Sequence, residues 1–378
     1  MSLVATLPGA PAAPADIQSI LDRSLKDDAR GRSRIFGPLD DVIARALVHR
    51  EDAPLVRRTL ALVATGAVGV YANFNFSWDL ADVYFLGLLV SSDCLGVILH
   101  MLSHRRVFRK EWDWLNRASV WLMSVWLGDP PYLFAVEHVV NHHSYNNSPT
   151  DLSCTLGYQR DNLVDFGRYL LTFLIGVSGV YGLSRLVGGK RGGRVWRIRF
   201  FGGQALFWGL VALRLWQAWL PTTILILLPF FLFNLMNRLN NWIEHAFINP
   251  DCPLDSWGNS YTILDSPYNR GAGFNEGYHA IHHVRPTIPN HTWPAAFRAR
   301  LDDARRADHV MFEHISPVGI FIRLITGNYV DLAKHYVQFP GRSRDPEAVA
   351  ALLKSRVARQ PTLLAALKAA AASSPSKA

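Results

Sequence analysis

The histidines of this chain are grouped in a way that suits metal binding. Of the 14 histidines, nine fall into four short groups. The groups are His100-Met-Leu-Ser-His104, His138-Val-Val-Asn-His142-His143, Asn241-Trp-Ile-Glu-His245 and His279-Ala-Ile-His282-His283. Residues three or four apart lie on one face of a helix, so these spacings predict imidazoles that point the same way. Neutral imidazole binds zinc, copper, iron and nickel, and the pattern therefore predicts a metal site without choosing the metal.

The number of candidate ligands indicates more than one metal ion. A catalytic zinc site uses about three protein ligands and a water molecule. Nine histidines together with Asn241 exceed that number. We therefore expect two metal ions shared among the four groups.

The segments that must position these histidines are long and apolar. The chain has 378 residues, of which 49% are hydrophobic and 18% are charged, against roughly 25% charged in an ordinary soluble domain. Four segments are apolar over about the 20 residues that a helix needs to cross a bilayer. They are residues 59–78, 81–99, 200–220 and 222–236. We predict an all-α integral membrane protein with four transmembrane helices in two hairpins, capped by a cytoplasmic helical domain that carries the histidine groups.

The flanking charges predict the orientation in the membrane. The formal net charge is +9, and basic residues crowd the segments before the first span, after the second and before the third. By the positive-inside rule, both termini and the central loop are cytoplasmic. All ligand groups must lie on one side, so the chain must cross an even number of times between His143 and Asn241. The apolar stretches 118–136 and 169–187 are accordingly predicted not to cross, and Pro130 and Pro131 interrupt the first of them.

These spans divide the chain into three regions. Residues 1–58 are an N-terminal cytoplasmic leader and amphipathic region, residues 59–345 a membrane domain, and residues 346–378 a C-terminal tail. Within the membrane domain, residues 100–199 and 237–345 form the cytoplasmic lobe. Residues 1–16 contain no Lys or Arg, which predicts a flexible leader rather than a secretory signal. The three cysteines are far apart without a CxxC pair, which argues against a disulfide framework and a thiolate metal site.

Three segments resemble the histidine boxes of the membrane fatty acid desaturase superfamily. They are HMLSHRRVF (100–108), HHSYNNSPTD (142–151) and GFNEGYHAIHHVRPTIP (273–289). Asn241 and His245 also stand where acyl desaturases have an N-x3-H element, and the resemblance covers roughly residues 60–289. It implies two iron ions held by His100, His104, His138, His142, His143, His245, His279, His282 and His283, with Asn241 acting through a bound water. His291 departs from the family pattern, and we expect it to lie outside the ligand set.

The resemblance also implies a reaction class. An unactivated methylene C–H bond is beyond ordinary side-chain acids and bases, and such chemistry requires a metal and dioxygen. We expect a non-haem di-iron oxidoreductase acting on a fatty acyl or lipid chain, with introduction of a C=C bond as the leading reaction. Hydroxylation and oxidative decarboxylation to a terminal alkene remain alternatives at the same site. A zinc-dependent membrane hydrolase and a metal-binding membrane scaffold without turnover are alternatives from other classes.

The electrons for such a reaction must come from outside the chain. The sequence has no haem-binding His-Pro-Gly-Gly element, no cysteine cluster and no GxGxxG fingerprint. We expect a separate electron-transfer protein, a ferredoxin or a b-type cytochrome with its reductase, to dock on the basic cytoplasmic face, and no nucleic-acid partner. Glu137, Glu244 and Glu276 are expected to accept the second ring N–H of ligating histidines. The expected location is a bacterial inner membrane.

Overall fold

The computed structural model describes residues 17–30, 37–126, 128–175, 180–188, 193–271 and 273–373. Within these ranges the protein is mostly helical. The longer elements are α1 (Ile17–Arg30), α2 (Gly37–Ala44), α3 (Ala53–Phe74), α4 (Trp78–His104), α5 (Asp113–Trp126), α6 (residues 133–145), α7 (Leu163–Ile175), α8 (Val180–Gly188), α9 (Gly193–Gln217) and α10 (Trp219–Glu244). The remaining elements are α11 (Ser256–Asn259), β1 (Tyr261–Ile263), α12 (Pro267–Arg270), α13 (His279–Val284), α14 (Trp293–Arg298), α15 (Leu301–Arg306), β2 (Val310–Phe312), α16 (Pro317–Ile325), α17 (Tyr329–Ala333), α18 (Pro346–Arg356) and α19 (Pro361–Ser373). The leader predicted for residues 1–16 lies outside the described residues.

Four long helices form two hairpins at the positions predicted for the spans. Residues 75–77 connect α3 to α4, and Ala218 connects α9 to α10. The hydroxyl of Ser77 accepts a hydrogen bond from the Leu80 amide at 3.3 Å, which begins α4 with a standard N-cap. By length and composition, the segments Arg50–Phe74 and Trp219–Glu244 could cross a membrane. Crossing by all four helices is taken up below as a proposal.

Polar contacts join the two hairpins at the end where they turn. The Arg214 guanidinium on α9 donates to the side-chain oxygen and the carbonyl of Asn73, both at 2.8 Å. The same group lies over the ring of Phe74, 4.1 Å from its centroid. Arg214 thus satisfies a carbonyl at the end of α3 that has no partner within the helix.

The opposite ends of α4 and α10 also lie side by side. A Cβ atom placed on Gly96 of α4 would lie 3.3 Å from the side-chain oxygen of Asn237 on α10. Only a residue without a side chain lets the helices approach this closely. Because α4 carries His100 and His104 and α10 leads into His245, this close packing brings their ligand groups together.

Of the two apolar stretches predicted not to cross, one is interrupted in the structure. Residues 118–136 fall on α5 and on the first part of α6, which the non-helical residues 128–132 separate. At 1.5 Å per residue, the 14 residues of α5 are about 21 Å long, less than the roughly 30 Å of a hydrocarbon core. Residues 169–187 fall on α7 and α8, but residues 176–179 lie outside the described residues, so for this stretch the absence of a span stays a prediction.

A small sheet in the lobe was not predicted by the all-α interpretation. Strands β1 and β2 pair in parallel, with Tyr261 opposite Val310 and Ile263 opposite Phe312. Each strand has three residues, all buried, so neither shows the alternation of polar and apolar residues that identifies a strand. Val349 and Leu353 of α18 pack into the same core. The region predicted as a C-terminal tail therefore begins with a helix that is part of the folded lobe.

Gly203 allows a second close approach, between α9 and the segment that leads into α6. A Cβ atom at Gly203 would overlap the carbonyl oxygen of Pro131, whereas one at Gly202 would meet open space. We expect Gly203→Ala to lower the free energy of unfolding by about 1–3 kcal/mol through overpacking. Gly202→Ala, the matched control, is expected to be neutral or to stabilise by up to about 1 kcal/mol, since alanine favours a helix. Thermal unfolding of the two variants in detergent measures the difference, and equal midpoints would contradict this packing.

Candidate metal centre

Four elements meet at the end of the long helices away from their hairpin turns and bring all nine grouped histidines together. They are the end of α4, the middle of α6, the end of α10 and α13. The nine imidazoles form two neighbouring sets of possible metal ligands. We call these the five-histidine set and the four-histidine set.

The five-histidine set contains His100, His104, His138, His143 and His282, whose ligand nitrogens all lie within 4.8 Å of one another. The Nε2 atom of His282 is 2.8 Å from those of both His100 and His143. The Nε2 atoms of His143 and His138 are 3.0 Å apart. All five side chains are buried or half-buried, and these ring nitrogens face one another.

The four-histidine set contains His142, His245, His279 and His283. Its Nε2 atoms are 3.1 Å apart between His142 and His245, 3.3 Å between His245 and His279, and 2.9 Å between His279 and His283. The ring of His283 stacks on that of His143, with centroids 4.4 Å apart. The two sets therefore share a boundary, as two closely spaced metal ions require.

Adjacent histidines separate the two sets. His142 and His143 enter different sets, as do His282 and His283, because neighbours in sequence point about 100° apart around a helix. In α6 the residues Val136–His142 form a π-helical turn, in which positions five apart align. His138 therefore joins His143 rather than His142, which corrects the expectation of a single helical face for this group. Such π turns are frequent at functional sites.

The second ring nitrogens of His142 and His245 are fixed by acceptors. Nδ1 of His142 lies 2.7 Å from a carboxylate oxygen of Asp151, and Nδ1 of His245 donates to the carbonyl of Asn259 at 2.8 Å. With their Nδ1 atoms engaged, the two rings turn Nε2 toward the centre, where these two atoms are 3.1 Å apart. They are the ring nitrogens that would hold a metal.

Two of the three predicted carboxylates lie beside ligating candidates. A carboxylate oxygen of Glu276 is 2.6 Å from Nδ1 of His100. A carboxylate oxygen of Glu244 is 3.5 Å from Nδ1 of His279. Neither contact has the geometry of a hydrogen bond, so acceptance of the ring N–H by these two carboxylates stays a prediction.

Glu137 does not take the predicted role. Its carboxylate pairs with the Arg238 guanidinium at 2.8 Å and accepts a hydrogen bond from the Ser153 hydroxyl. Arg238 is itself buried, and a buried guanidinium requires an anionic partner. The sequence spacing placed Glu137 next to His138, but it could not show that an arginine 101 residues away would bind it.

Asp151 is the orienting residue that the sequence reasoning missed. Besides His142, its carboxylate accepts hydrogen bonds from the Asn141 side chain at 2.8 Å and from the Asn147 and Ser153 amides at 2.9 and 2.8 Å. Asn147 has a positive φ of 59°, a conformation that asparagine tolerates better than most residues and that turns the chain back toward the histidines. Asp151 is the last residue of the segment HHSYNNSPTD (142–151), so the sequence already placed a carboxylate nine residues after His142.

Asn241 lies beside the centre but in neither histidine set. Its amide nitrogen donates to the carbonyl of Ser153 at 3.0 Å and to the hydroxyl of Tyr169 at 2.8 Å. It lines a cavity of about 40 Å³ together with Glu244 and Glu276. A cavity of this size has room for ordered water, so a ligand role through water fits this position.

Burial disfavours the protonated form of several imidazoles of the centre in the metal-free protein. It lowers the pKa well below the ordinary value of 6.5, and neighbouring imidazoles lower it further, for His138, His143, His279, His282 and His283. The neutral form is the one that binds a metal, so the site is prepared for metal at neutral pH.

The lowered pKa values predict that the metal-free protein loses stability on acidification. Below pH 6.5 the histidines of the unfolded chain bind protons, whereas the buried histidines of the folded protein stay neutral. The unfolded state therefore binds more protons, and the free energy of unfolding decreases as the pH is lowered. Each pKa unit of lowering corresponds to about 1.4 kcal/mol for one group. Thermal unfolding of chelator-treated protein between pH 8 and about pH 5 tests this. A midpoint that stays constant over the range would contradict neutral, buried imidazoles.

Comparison with known proteins adds one match. The family model described as fatty acid desaturase matches residues 77–314, which is more than half of the chain and contains all four histidine groups. No curated protein matches the sequence.

Proposed function

Because the chain belongs to the fatty acid desaturase family, we propose that it is a membrane-bound di-iron oxidoreductase that uses dioxygen to introduce a double bond into a fatty acyl or lipid chain. Two bound irons would supply the redox chemistry with dioxygen that side chains lack. The proposed ligands are His100, His104, His138, His142, His143, His245, His279, His282 and His283, with Asn241 contributing through water.

The observation that carries this proposal is the convergence of nine imidazoles in two adjoining sets, with the Nε2 atoms of His142 and His245 only 3.1 Å apart. Their Nδ1 atoms are already engaged by Asp151 and Asn259. Two sets of five and four nitrogens exceed the about three protein ligands of a catalytic zinc site. The donor set therefore supports two metal ions in one centre.

The surrounding side chains orient the ligands and hold back water. Asp151 fixes the ring of His142, and Glu276 lies against His100. The rings of Phe134 and His138 stack with centroids 5.3 Å apart, which places an apolar wall beside the five-histidine set. A reacting methylene group of the substrate would lie against such a wall, where the surroundings exclude competing water.

Desaturation requires two electrons from another protein. The balanced reaction converts –CH2–CH2–, O2, two electrons and two protons into –CH=CH– and two water molecules. We propose that a ferredoxin or a b-type cytochrome with its reductase supplies the electrons. The net charge of +9 supports attraction of an acidic carrier.

We further propose that all four long helices cross a membrane, with both termini and the histidine centre on the cytoplasmic side of a bacterial inner membrane. The supporting observations are exposed apolar side chains on α4 and α9, the two long helices other than those in Arg50–Phe74 and Trp219–Glu244. Val90 of α4 is 78% exposed and Trp216 of α9 is 83% exposed. Such side chains are favourable in lipid and costly in water.

Product analysis tests the reaction. The iron-loaded protein, in lipid with a chemical or enzymatic reductant, is given deuterium-labelled acyl chains and dioxygen, and the products are identified by mass spectrometry. We expect an alkene of unchanged carbon number that has lost two hydrogens, and no product without dioxygen. An oxygenated product would indicate hydroxylation, and an alkene one carbon shorter would indicate decarboxylation.

A different comparison tests the reaction class. A zinc-dependent hydrolase would act without dioxygen and with zinc alone, and a metal-binding scaffold would give no turnover under any condition. Activity that depends on both iron and dioxygen would exclude both. Activity with zinc in the absence of dioxygen would overturn the proposed oxidoreductase.

A further inference from the structure

A third cluster of metal-ligating side chains lies apart from the nine-histidine centre. It consists of His49, Glu51 and His291, whose ligand atoms all lie within 4.8 Å of one another. His49 and Glu51 precede α3, and His291 lies on a short 3-10 turn, Asn290–Thr292, before α14. None of the three belongs to either histidine set. The extra histidine that departs from the family pattern is thus placed beside two partners from the N-terminal region.

The geometry of the cluster leaves its donor atoms available. The rings of His49 and His291 meet edge to face with centroids 5.8 Å apart. The Nδ1 atom of His291 is buried and has no hydrogen-bond partner among the described residues. A buried polar atom without a partner is unfavourable, and a bound cation would supply the missing partner. Glu51 is exposed, and its carboxylate lies within 4.8 Å of the ligand atoms of the two histidines.

We propose that His49, Glu51 and His291 bind one zinc ion, separate from the metals of the nine-histidine centre. Two imidazoles and one carboxylate form a donor set that zinc uses, with water in the fourth position. Bonds of about 2.0–2.2 Å place the donors of a tetrahedral site about 3.4 Å apart. The three donor atoms lie within 4.8 Å of one another without metal, so binding would draw them together by about 1 Å.

A zinc ion here would link the N-terminal region to the segment that follows the fourth histidine group, beside the residue that follows the first group. Asp52, next to Glu51, binds the Arg105 guanidinium through two contacts of 2.6 Å. Arg105 also donates to the side-chain oxygen of Asn290, next to His291, at 3.1 Å. Arg105 directly follows His104 in the chain. Zinc would therefore hold in place Asp52 and Asn290, the two side chains that accept hydrogen bonds from Arg105.

Metal counting on the iron-loaded, full-length protein tests the zinc site. Zinc is added in slight excess, unbound metal is removed, and zinc and iron are measured per chain by mass spectrometry. We expect about one zinc with the iron content unchanged. His49→Ala and His291→Ala should abolish zinc binding without loss of iron, and His142→Ala should lose iron but keep the zinc.

Two further variants keep this test decisive if the alanine variants fold poorly. Glu51→Gln changes only an exposed side chain and should weaken zinc binding at least about tenfold. His314→Ala is the matched control, since it removes an exposed histidine that also lies near a glutamate, with 3.5 Å between His314 and Glu313. It should bind zinc as the unaltered protein does.

The proposal has clear contrary outcomes. It is overturned if the iron-loaded protein binds no zinc, if zinc displaces iron one for one, or if Glu51→Gln and His314→Ala bind zinc equally well. Because the iron count is read in the same sample, failure of the zinc site is distinguishable from failure of the proposed di-iron function.

Discussion

Replacing His142 by alanine is expected to lower the metal content from about two ions per chain to about one and to abolish product formation. His142 belongs to the smaller set, where its Nε2 atom faces that of His245 at 3.1 Å. Its loss leaves three imidazoles in that set and removes the anchor that Asp151 provides. The five-histidine set keeps all its ligands. Metal analysis of the purified variant, together with product analysis, measures both effects.

His314→Ala provides the control for this variant, since His314 is exposed and lies in neither histidine set. It should retain metal and activity. Unchanged metal content in His142→Ala would show that the four-histidine set does not bind a metal of its own, and the two-metal account would then be wrong.

Replacing Asp151 by asparagine is expected to lower metal affinity in the four-histidine set by about 10–100-fold. The carboxylate accepts the Nδ1 proton of His142 at 2.7 Å. An asparagine amide placed there would donate instead, which favours the tautomer with its proton on Nε2. That nitrogen could then no longer bind a metal. Titration of metal-depleted protein with iron(II) under anaerobic conditions measures the change.

A double variant separates this effect from general unfolding. Asp151 also accepts from the Asn147 and Ser153 amides, so its replacement affects the loop as well as the ligand. If Asp151 acts through His142, then Asp151→Asn in a His142→Ala background should not reduce metal affinity further. Additive losses in the double variant would assign Asp151 to the stability of the loop alone.

The helices and the membership of the histidine groups could be predicted because both depend on local patterns. Long apolar runs identify helices such as α3 and α10, and spacings of three or four residues place histidines such as His100 and His104 on one face. These arguments need only the geometry of a single helix and the thickness of a bilayer.

The remaining features depend on contacts between segments that are distant in the chain. The π turn that pairs His138 with His143 is a departure of one residue from regular helical geometry, and nothing in its composition indicates it. Glu137 looked like an orienting carboxylate, but Arg238 binds it in the buried interior. Asp151 reaches His142 only because asparagines in left-handed conformations reverse the chain. In each case the sequence allows several contacts, and only the folded structure shows which one forms.

The most direct test of the central claim is metal analysis of the protein purified anaerobically after expression with iron available. Two histidine sets with converging ring nitrogens predict about two irons per chain, and activity that is lost when the irons are chelated and restored when iron(II) is returned. About one zinc at the nine-histidine centre and no iron would contradict the account, since a single zinc is what a hydrolytic site requires.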